Sequence, residues 1–339
     1  GRLPGADTPK ARVRRGQPRA TACTDFERTC SHLMKPKLNR QKVFYWSLER
    51  GDLLPLLLMT PTLLIIFFVM ILPLLYGLYL SLFDVGFGTV TAENFVGLAN
   101  YASFFQDPVA QKAIWNTLLF SAGAIVGDMF FGTVGALLLN KMARWLGNIC
   151  RPLMTIPLLV SPVVVGLIWR YLYDPSGILY WALGKVGLGL EQFPGVTSSA
   201  TALLCCIIAQ WWQVVPFYII VLTAGLLSIS EDYYEAATVD GAGPVVSFFR
   251  ITLPLMQNVY MTAFLVSGVD TIKIFDIIYA LTGGGPNNSS LSISIYAYSQ
   301  GFEMSSMGYA MALSFIAMLV TFVVFGVPFI RHNAKKEKE

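Results

Sequence analysis

The residues that could do chemistry in this chain are ionisable side chains placed inside long apolar stretches. Asp270, Lys273 and Asp276 follow one another at steps of three residues, which would keep them within about 120° of arc on one helix. Charges inside apolar helices are costly, so they usually face a partner or a polar cavity. Two interpretations stay open: the three residues neutralise one another in a helix interface, or they line a polar route through the helices.

Other apolar stretches contain one isolated carboxylate and a pair of indole rings. We expect Asp128 to form a hydrogen bond within a helix bundle rather than to bind substrate. Trp211 and Trp212 could stack on a ring of the substrate. Such residues more often serve as packing or interfacial anchors, so both roles are kept.

Most of the usual equipment of catalysis is absent from the sequence. The two histidines, His32 and His332, lie near opposite ends, and the five cysteines form no CxxC pair. No Gly-x-x-x-x-Gly-Lys-Ser/Thr sequence occurs, so ATP should not bind here through a Walker A loop. We therefore expect no catalytic residue, no metal site and no cofactor. The absence of an interior histidine argues against an intramembrane enzyme. Paired aspartates would still allow an enzyme of this kind.

Membrane helices must position these residues, because 55% of the 339 residues are hydrophobic and only 13% are charged. A helix needs about 20 apolar residues to cross the hydrocarbon core. Six stretches qualify, which predicts an all-α, polytopic membrane protein. The predicted spans are 53–83, 113–140, 152–173, 201–227, 253–281 and 308–330.

The basic residues are distributed unevenly and indicate an orientation. Residues 1–51 hold twelve of the 24 Lys and Arg against four acids, a net charge of +8. With the N-terminus inside, the inner segments carry twenty basic residues and the outer segments three, which predicts cytoplasmic N- and C-termini. A basic arm can also bind nucleic acid, but no nucleic-acid motif accompanies it, so membrane lipid is the expected contact.

Three regions are predicted. Residues 1–52 form a basic cytoplasmic arm, 53–330 a six-helix transmembrane domain with a cytoplasmic loop at 228–252, and 331–339 a cytoplasmic tail. The first 33 residues are rich in Arg, Pro, Thr and Ala and have no apolar period. We therefore expect Met34 to be the true start, with a natively disordered arm as the alternative.

The loop at 228–252 is the most informative inner segment. Ser230 followed by two acids predicts a helix start. The helix should run to about Val239, turn at Asp240 and Gly241, and be followed by a second short helix before the fifth span. Its small and apolar side chains suit docking in a groove of another protein. The alternative is a connector that lies on lipid.

This loop resembles the EAA loop found in the permease subunits of ABC importers. The matching positions are Glu235, Ala236, Ala237, Asp240, Gly241, Ala242, Phe248, Ile251, Leu253 and Pro254. In that family the loop forms a coupling helix seated in a cleft of the ATP-binding subunit. The resemblance therefore implies that the first six of these positions make the contact that couples ATP hydrolysis to the membrane helices. Ser230 and Gln257 depart from the pattern, since relatives often have proline there.

The resemblance covers residues from about 50 to 332. The sequence in this range is similar to carbohydrate permeases of the maltose and glycerol-3-phosphate type. Residues 94–101 look like the first outer loop of that family, residues 274–276 and 279–286 like the end of its fifth span, and residues 308–310 like the opening of its last span. It implies an ABC type I importer permease fold in a bacterial or archaeal plasma membrane, with a sugar or sugar derivative as cargo. The implied partners are an ATP-binding subunit dimer, a second homologous permease subunit and an extracellular or periplasmic sugar-binding protein.

The main alternative function is a secondary transporter driven by an ion gradient. Such proteins usually show repeated halves and broken helices around a midplane site. No clear repeat is visible in this sequence, and an ion-driven transporter does not need the loop at 228–252.

Overall fold

A computed structural model describes residues 54–88, 91–186 and 193–336. Across these residues the chain is helical, and strand-like pairing is limited to an isolated antiparallel bridge between Phe83 and Phe95. The all-α prediction is therefore confirmed.

The chain divides into two units, Gly1–Ile71 and Leu72–Glu339. In the first unit, helix α1 (Leu54–Ile66) runs into a π-helical turn, Phe67–Ile71. From residue 58 onward its side chains are exposed and almost all apolar, as expected of a helix whose solvent is lipid. The predicted arm at 1–52 and the predicted start at Met34 lie outside the described residues.

The second unit contains fifteen described helices, which we number onward in chain order. They are α2 (Leu72–Leu80), α3 (Ala99–Phe104), α4 (Pro108–Lys141), α5 (Arg144–Thr155), α6 (Pro162–Leu172), α7 (Ile178–Val186), α8 (Ala202–Leu227), α9 (Glu231–Val239), α10 (Pro244–Ser247), α11 (Leu253–Leu255), α12 (Gln257–Ile272), α13 (Asp276–Leu281), α14 (Ile293–Tyr298), α15 (Met307–Thr321) and α16 (Val327–Lys336). Short 3₁₀ or π-helical turns lie between several of them.

Four helical stretches among the described residues are long and apolar enough to cross a membrane. They are Leu58–Leu80, Pro108–Lys141, Ala202–Leu227 and Met307–Ala334. They correspond to the first, second, fourth and sixth predicted spans. The second has 34 residues, a length of roughly 51 Å at about 1.5 Å per residue, so it extends well beyond a hydrocarbon core of about 30 Å.

The third predicted span, 152–173, is wrong as a single helix. Helix α5 and its 3₁₀ extension meet α6 at an angle of 95°. The break falls just before Pro162, which lacks an amide hydrogen and stands at the first position of α6. The freed carbonyl of Val160 accepts a hydrogen bond from Gln213 Nε2 at 2.7 Å, so the interruption is stabilised from α8.

The fifth predicted span, 253–281, is also divided. Helix α12 ends at Ile272, and α13 begins at Asp276 after a short break. Gly166 of α6 packs closely against Ala280 of α13, which holds the second piece in the bundle. Four continuous spans, one bent pair and this divided span are consistent with the predicted six.

Close packing of α4 against α8 forms the centre of the bundle. A side chain at Gly127 would overlap the indole of Trp211, and one at Gly132 would meet Tyr218. Small residues let membrane helices approach until their backbones nearly touch, which is how such helices gain packing energy in lipid.

Candidate functional site

The loop between α8 and α11 forms a short capped helix whose start is set by Ser230. The Ser230 hydroxyl accepts a hydrogen bond from the Asp232 amide at 3.4 Å and donates one to Asp232 Oδ2 at 2.9 Å. Glu231 and Asp232 place negative charge in the first turn of α9, where the helix dipole favours it. The predicted helix start and its end at Val239 are both confirmed.

The end of α9 explains the spacing of its last motif residues. The Ala242 amide donates to the Ala237 carbonyl at 2.8 Å, and the Gly241 amide donates to the Thr238 carbonyl at 3.0 Å. This pair of bonds is a Schellman motif, which requires a left-handed residue after the helix cap. Gly241 supplies it with a φ of +80°. Asp240 is the capping residue between them.

One face of α9 is free and the other is attached to the bundle. Glu235 and Ala236 are exposed, and Val239 has 87% of its surface exposed. On the inner face, the hydroxyls of Tyr234 and Thr252 share a hydrogen bond at 3.0 Å. Since Thr252 is buried just before α11, this hydrogen bond links α9 to the start of the fifth span.

A cavity of about 800 Å³ lies behind this helix. It is bounded by Leu137 and Leu138 of α4, Leu226 of α8, and Tyr234 and Phe248 of the loop. The cavity therefore lies between α9 and the ends of α4 and α8.

The three charges predicted along the fifth span do not share one helix face. Lys273 Nζ and Asp270 Oδ1 form an ion pair at 2.8 Å, with 69% and 54% of their side chains exposed. Asp276 is exposed too, but it starts α13 after the helix break, and no ion pair to it occurs within the described part of the chain. The assumption of one continuous helix was wrong, because the chain leaves helical geometry between Lys273 and Asp276.

The two tryptophans occupy different environments. Trp211 Nε1 donates to the carbonyls of Gly123 and Ala124 at 3.2 and 3.1 Å, which fixes the ring between α4 and α8. Trp212 is 41% exposed and its ring lies 6.4 Å from that of Trp169. The geometry places Trp211 in packing and leaves Trp212 accessible.

Asp128 is fully buried and joins α4 to α12. Its Oδ2 accepts a hydrogen bond from Ser267 Oγ at 3.0 Å. Its Oδ1 has no partner among the described residues. The predicted role in hydrogen bonding within the bundle is confirmed.

A second carboxylate, Asp107, organises the other end of the bundle, and sequence reasoning missed it. Its Oδ1 caps α4 by accepting from the Val109 and Ala110 amides at 2.9 and 3.2 Å. Its Oδ2 accepts from Tyr296 at 2.6 Å and Tyr309 at 2.9 Å. The available signal was Asp followed by Pro, a helix cap before an N1 proline, at the start of a long apolar stretch.

Ionisation of this cluster is set by competition between burial and hydrogen bonding. Burial alone would raise the pKa of Asp107, but the two tyrosine hydroxyls and two backbone amides outweigh it, and the pKa lies below its usual value. Burial raises the pKa of Tyr296 to about 12, and the hydrogen bond to Asp107 acts in the same direction. Asp107 therefore stays ionised at neutral pH while Tyr296 stays protonated.

A family model described as "Binding-protein-dependent transport system inner membrane component" matches residues 128–332. Relatives at about one third identity match most of the chain. "Probable ABC transporter permease protein YurN" of Bacillus subtilis is 31% identical over 269 residues, which cover 78% of this chain and 91% of that protein. "Trehalose/maltose transport system permease protein MalF" of Thermococcus litoralis is 33% identical over 262 residues, covering 77% and 87%.

A third relative is "Sulfoquinovosyl glycerol transport system permease protein SmoG" of Agrobacterium fabrum. It is 31% identical over 275 residues, covering 79% of this chain and 87% of that protein. Among solved structures, a chain from a "bacterial ABC transporter involved in the import of the acidic polysaccharide alginate" superposes with a TM-score of 0.73 at 22% identity. It covers 87% of this chain and 99% of that chain, and the likeness shows that the two share a fold.

Proposed function

Because this chain belongs to the family of binding-protein-dependent transport system inner membrane components, we propose that its cargo is a sugar or sugar derivative moved into the cell. The chain is a multi-pass permease subunit of an ATP-binding cassette importer, and ATP hydrolysis belongs to a separate subunit. The alternative of an ion-driven secondary transporter has no support from the relatives.

The sugar assignment is supported by the relatives rather than by any bound ligand. Two of the three relatives described above are named for carbohydrates or a glycoside. The exposed pair of Asp270 and Lys273 suits such cargo, because hydroxyl groups both donate to carboxylates and accept from ammonium groups. We place Asp270, Lys273, Asp276 and Trp212 along the pathway, with Trp211 as the packed residue behind it.

The coupling contact is the free face of α9. We assign Glu235, Ala236, Ala237, Asp240, Gly241 and Ala242 to the region that meets the ATP-binding subunit. The observation that supports this is the exposure of the outer face together with the Tyr234 to Thr252 link on the inner face. This assignment places α9 and both chain termini in the cytoplasm, in keeping with the excess of basic residues on that side. A second permease subunit and a sugar-binding protein complete the transporter.

Copurification followed by reconstitution tests this proposal. The tagged chain, expressed with its neighbouring genes, should bring down an ATPase and a second permease. In proteoliposomes with the binding protein outside and ATP inside, the complex should accumulate a sugar. Accumulation that persists without ATP but collapses with an ionophore would contradict the assignment and favour an ion-driven transporter.

A further inference from the structure

A continuous row of five aromatic rings lies at the outer end of the fifth and sixth spans. We call Phe275, Tyr279, Tyr298, Phe302 and Phe87 the aromatic row. Phe275 and Tyr279 stack with centroids 5.0 Å apart and planes 14° from parallel. Tyr298 lies 5.3 Å from Phe275 and 5.0 Å from Phe302, and Phe302 lies 6.2 Å from Phe87. Each ring is thus within contact distance of the next.

The row is open on one side. The exposed fractions are 46% for Tyr279, 37% for Tyr298, 57% for Phe302 and 63% for Phe87. The backbone beneath it is well fixed, because Ile277 and Ile278 of α13 are buried. The segment before α14 is held to α4, where Asn116 Nδ2 donates to the Asn288 carbonyl at 2.8 Å. The rings are therefore presented to the outside by rigid elements.

A cavity of about 750 Å³ adjoins the row. Lys273, Ser294, Tyr298, Gly301 and Phe302 line the part of the cavity that adjoins the row, and mainly apolar side chains of α12 and α15 line the rest. Small-molecule sites usually have volumes of about 300–1,000 Å³. The cavity is therefore large enough for one or two sugar rings.

The polar groups in this surface indicate that it faces water rather than lipid. The hydroxyls of Tyr279 and Tyr298 have no hydrogen-bond partner within the described residues, and the ion pair of Lys273 with Asp270 is more than half exposed. Lipid would leave both hydroxyls without a partner and would surround a charged pair with hydrocarbon, and both are costly.

We propose that the aromatic row is a stacking track for the pyranose rings of the cargo at the outer mouth of the pathway. Aromatic faces carry negative potential and attract the weakly positive C–H face of a sugar. The hydroxyl edge of the same sugar would meet the free hydroxyls of Tyr279 and Tyr298 and the ion pair of Lys273 with Asp270. This inference rests on the proposed function, because it needs a sugar as cargo.

The test uses the complete reconstituted transporter with its binding protein. The probe is whichever radiolabelled sugar among maltose, trehalose, cellobiose and raffinose the unaltered complex accumulates. Tyr279→Ala combined with Tyr298→Ala removes two central rings. Tyr279→Phe combined with Tyr298→Phe keeps the rings and removes the hydroxyls. Tyr171→Ala is the matched control, since Tyr171 is 79% exposed and lies outside the row.

We expect the double alanine variant to lower sugar accumulated per ATP hydrolysed by about tenfold, corresponding to about 1.4 kcal/mol. Its binding-protein-stimulated ATP hydrolysis should stay within about twofold. In the double phenylalanine variant, the sugar accumulated per ATP hydrolysed should lie between the values of the original and the double alanine variant. In the Tyr171→Ala control it should be unchanged. The proposal would be overturned if the double alanine variant accumulated as much sugar per ATP hydrolysed as the original. It would also be overturned if this variant lost the second permease on purification, because the row would then be a subunit interface. If the unaltered complex accumulates no sugar, that result contradicts the proposed function itself. The stacking track is then contradicted too, because it requires a sugar as cargo.

Discussion

The backbone of Gly308 lies directly against the carbonyl of Phe83, so that a side chain at this glycine would overlap the carbonyl oxygen. The Gly308 amide donates to the Val85 carbonyl at 3.0 Å. The same Phe83 carbonyl accepts from Asn100 Nδ2 at 2.9 Å. The segment between α2 and α3 is thus fixed to the start of α15 by backbone contact.

Gly308→Ala should therefore destabilise the packing of α15 against the segment that follows α2. Overpacking of this kind costs about 1–3 kcal/mol, because the backbone must move to admit the methyl group. The measurement is the thermal unfolding midpoint in detergent. Gly88→Ala is the matched control, because Gly88 lies in the same loop with nothing within 4 Å of its added side chain. Equal midpoints for the two variants would show that the close approach is unimportant.

Removal of the Asp107 charge should weaken the same end of the bundle. Asp107→Asn keeps the size of the side chain but removes a charge that accepts four hydrogen bonds, so we expect a loss of about 1–3 kcal/mol near neutral pH. Tyr309→Phe removes a single hydrogen-bond donor and should reduce the unfolding free energy by less than Asp107→Asn does. Unfolding midpoints of the purified protein give both values.

The pH dependence of this effect has a definite sign. The folded-state pKa of Asp107 lies below the ordinary value of 3.8, so its stabilisation is present above the unfolded pKa and is lost as pH falls through the folded value. The difference in unfolding free energy between the original protein and Asp107→Asn should stay constant from pH 7 to about pH 5. It should disappear in more acidic solution. A gap that closes near pH 6 would contradict the low pKa.

Gly241 and Gly243 provide a matched pair for testing the coupling loop. Neither would meet an atom within 4 Å if a side chain were added, but Gly241 has a φ of +80° and Gly243 has one of −73°. Gly241→Val should strain the turn by about 1–2 kcal/mol or more and lower ATP-coupled uptake severalfold. Gly241→Asn should retain more activity, because asparagine tolerates this conformation.

Gly243→Val should leave uptake near the original level. Membrane insertion and copurification of the second permease serve as controls for folding in all three variants. If Gly243→Val impairs uptake as much as Gly241→Val does, the shape of the turn is not what matters in this loop.

The contact between Gly127 and Trp211 can be measured by a double-mutant cycle. Gly127→Ala should destabilise the protein, because the methyl group would overlap the indole ring. Trp211→Leu should also destabilise it through lost packing and two lost hydrogen bonds to α4. The double variant should lose less unfolding free energy than the two single variants lose in sum. The difference, which is the coupling energy, should be about 0.5–3 kcal/mol. Additive costs would place the two residues in separate environments.

Much of the loop at 228–252 could be predicted from the sequence because its structure is local. The cap at Ser230, the helix to Val239 and the left-handed glycine at 241 each depend on a few neighbouring residues. The broken helices were harder to predict, since continuous hydropathy conceals a bend. Pro162 marked one break, but only the carbonyl of Val160 and its partner Gln213 on α8 show how it is stabilised.

The sequence by itself predicted that lipid is the solvent of this protein, showed the excess of basic residues in 1–51, and contained the loop motif that resembles the coupling loop of ABC importer permeases. Those depend on composition and short spacing, which the chain carries wherever it is folded. Only the tertiary structure decided that Asp276 is separated from Asp270 and Lys273, that Trp211 is packed, and that Asp107 and the aromatic row are assembled at all. Those arrangements join residues up to about 200 positions apart, and the physical reason is that packing and hydrogen bonding between distant segments have no signature within any one of them.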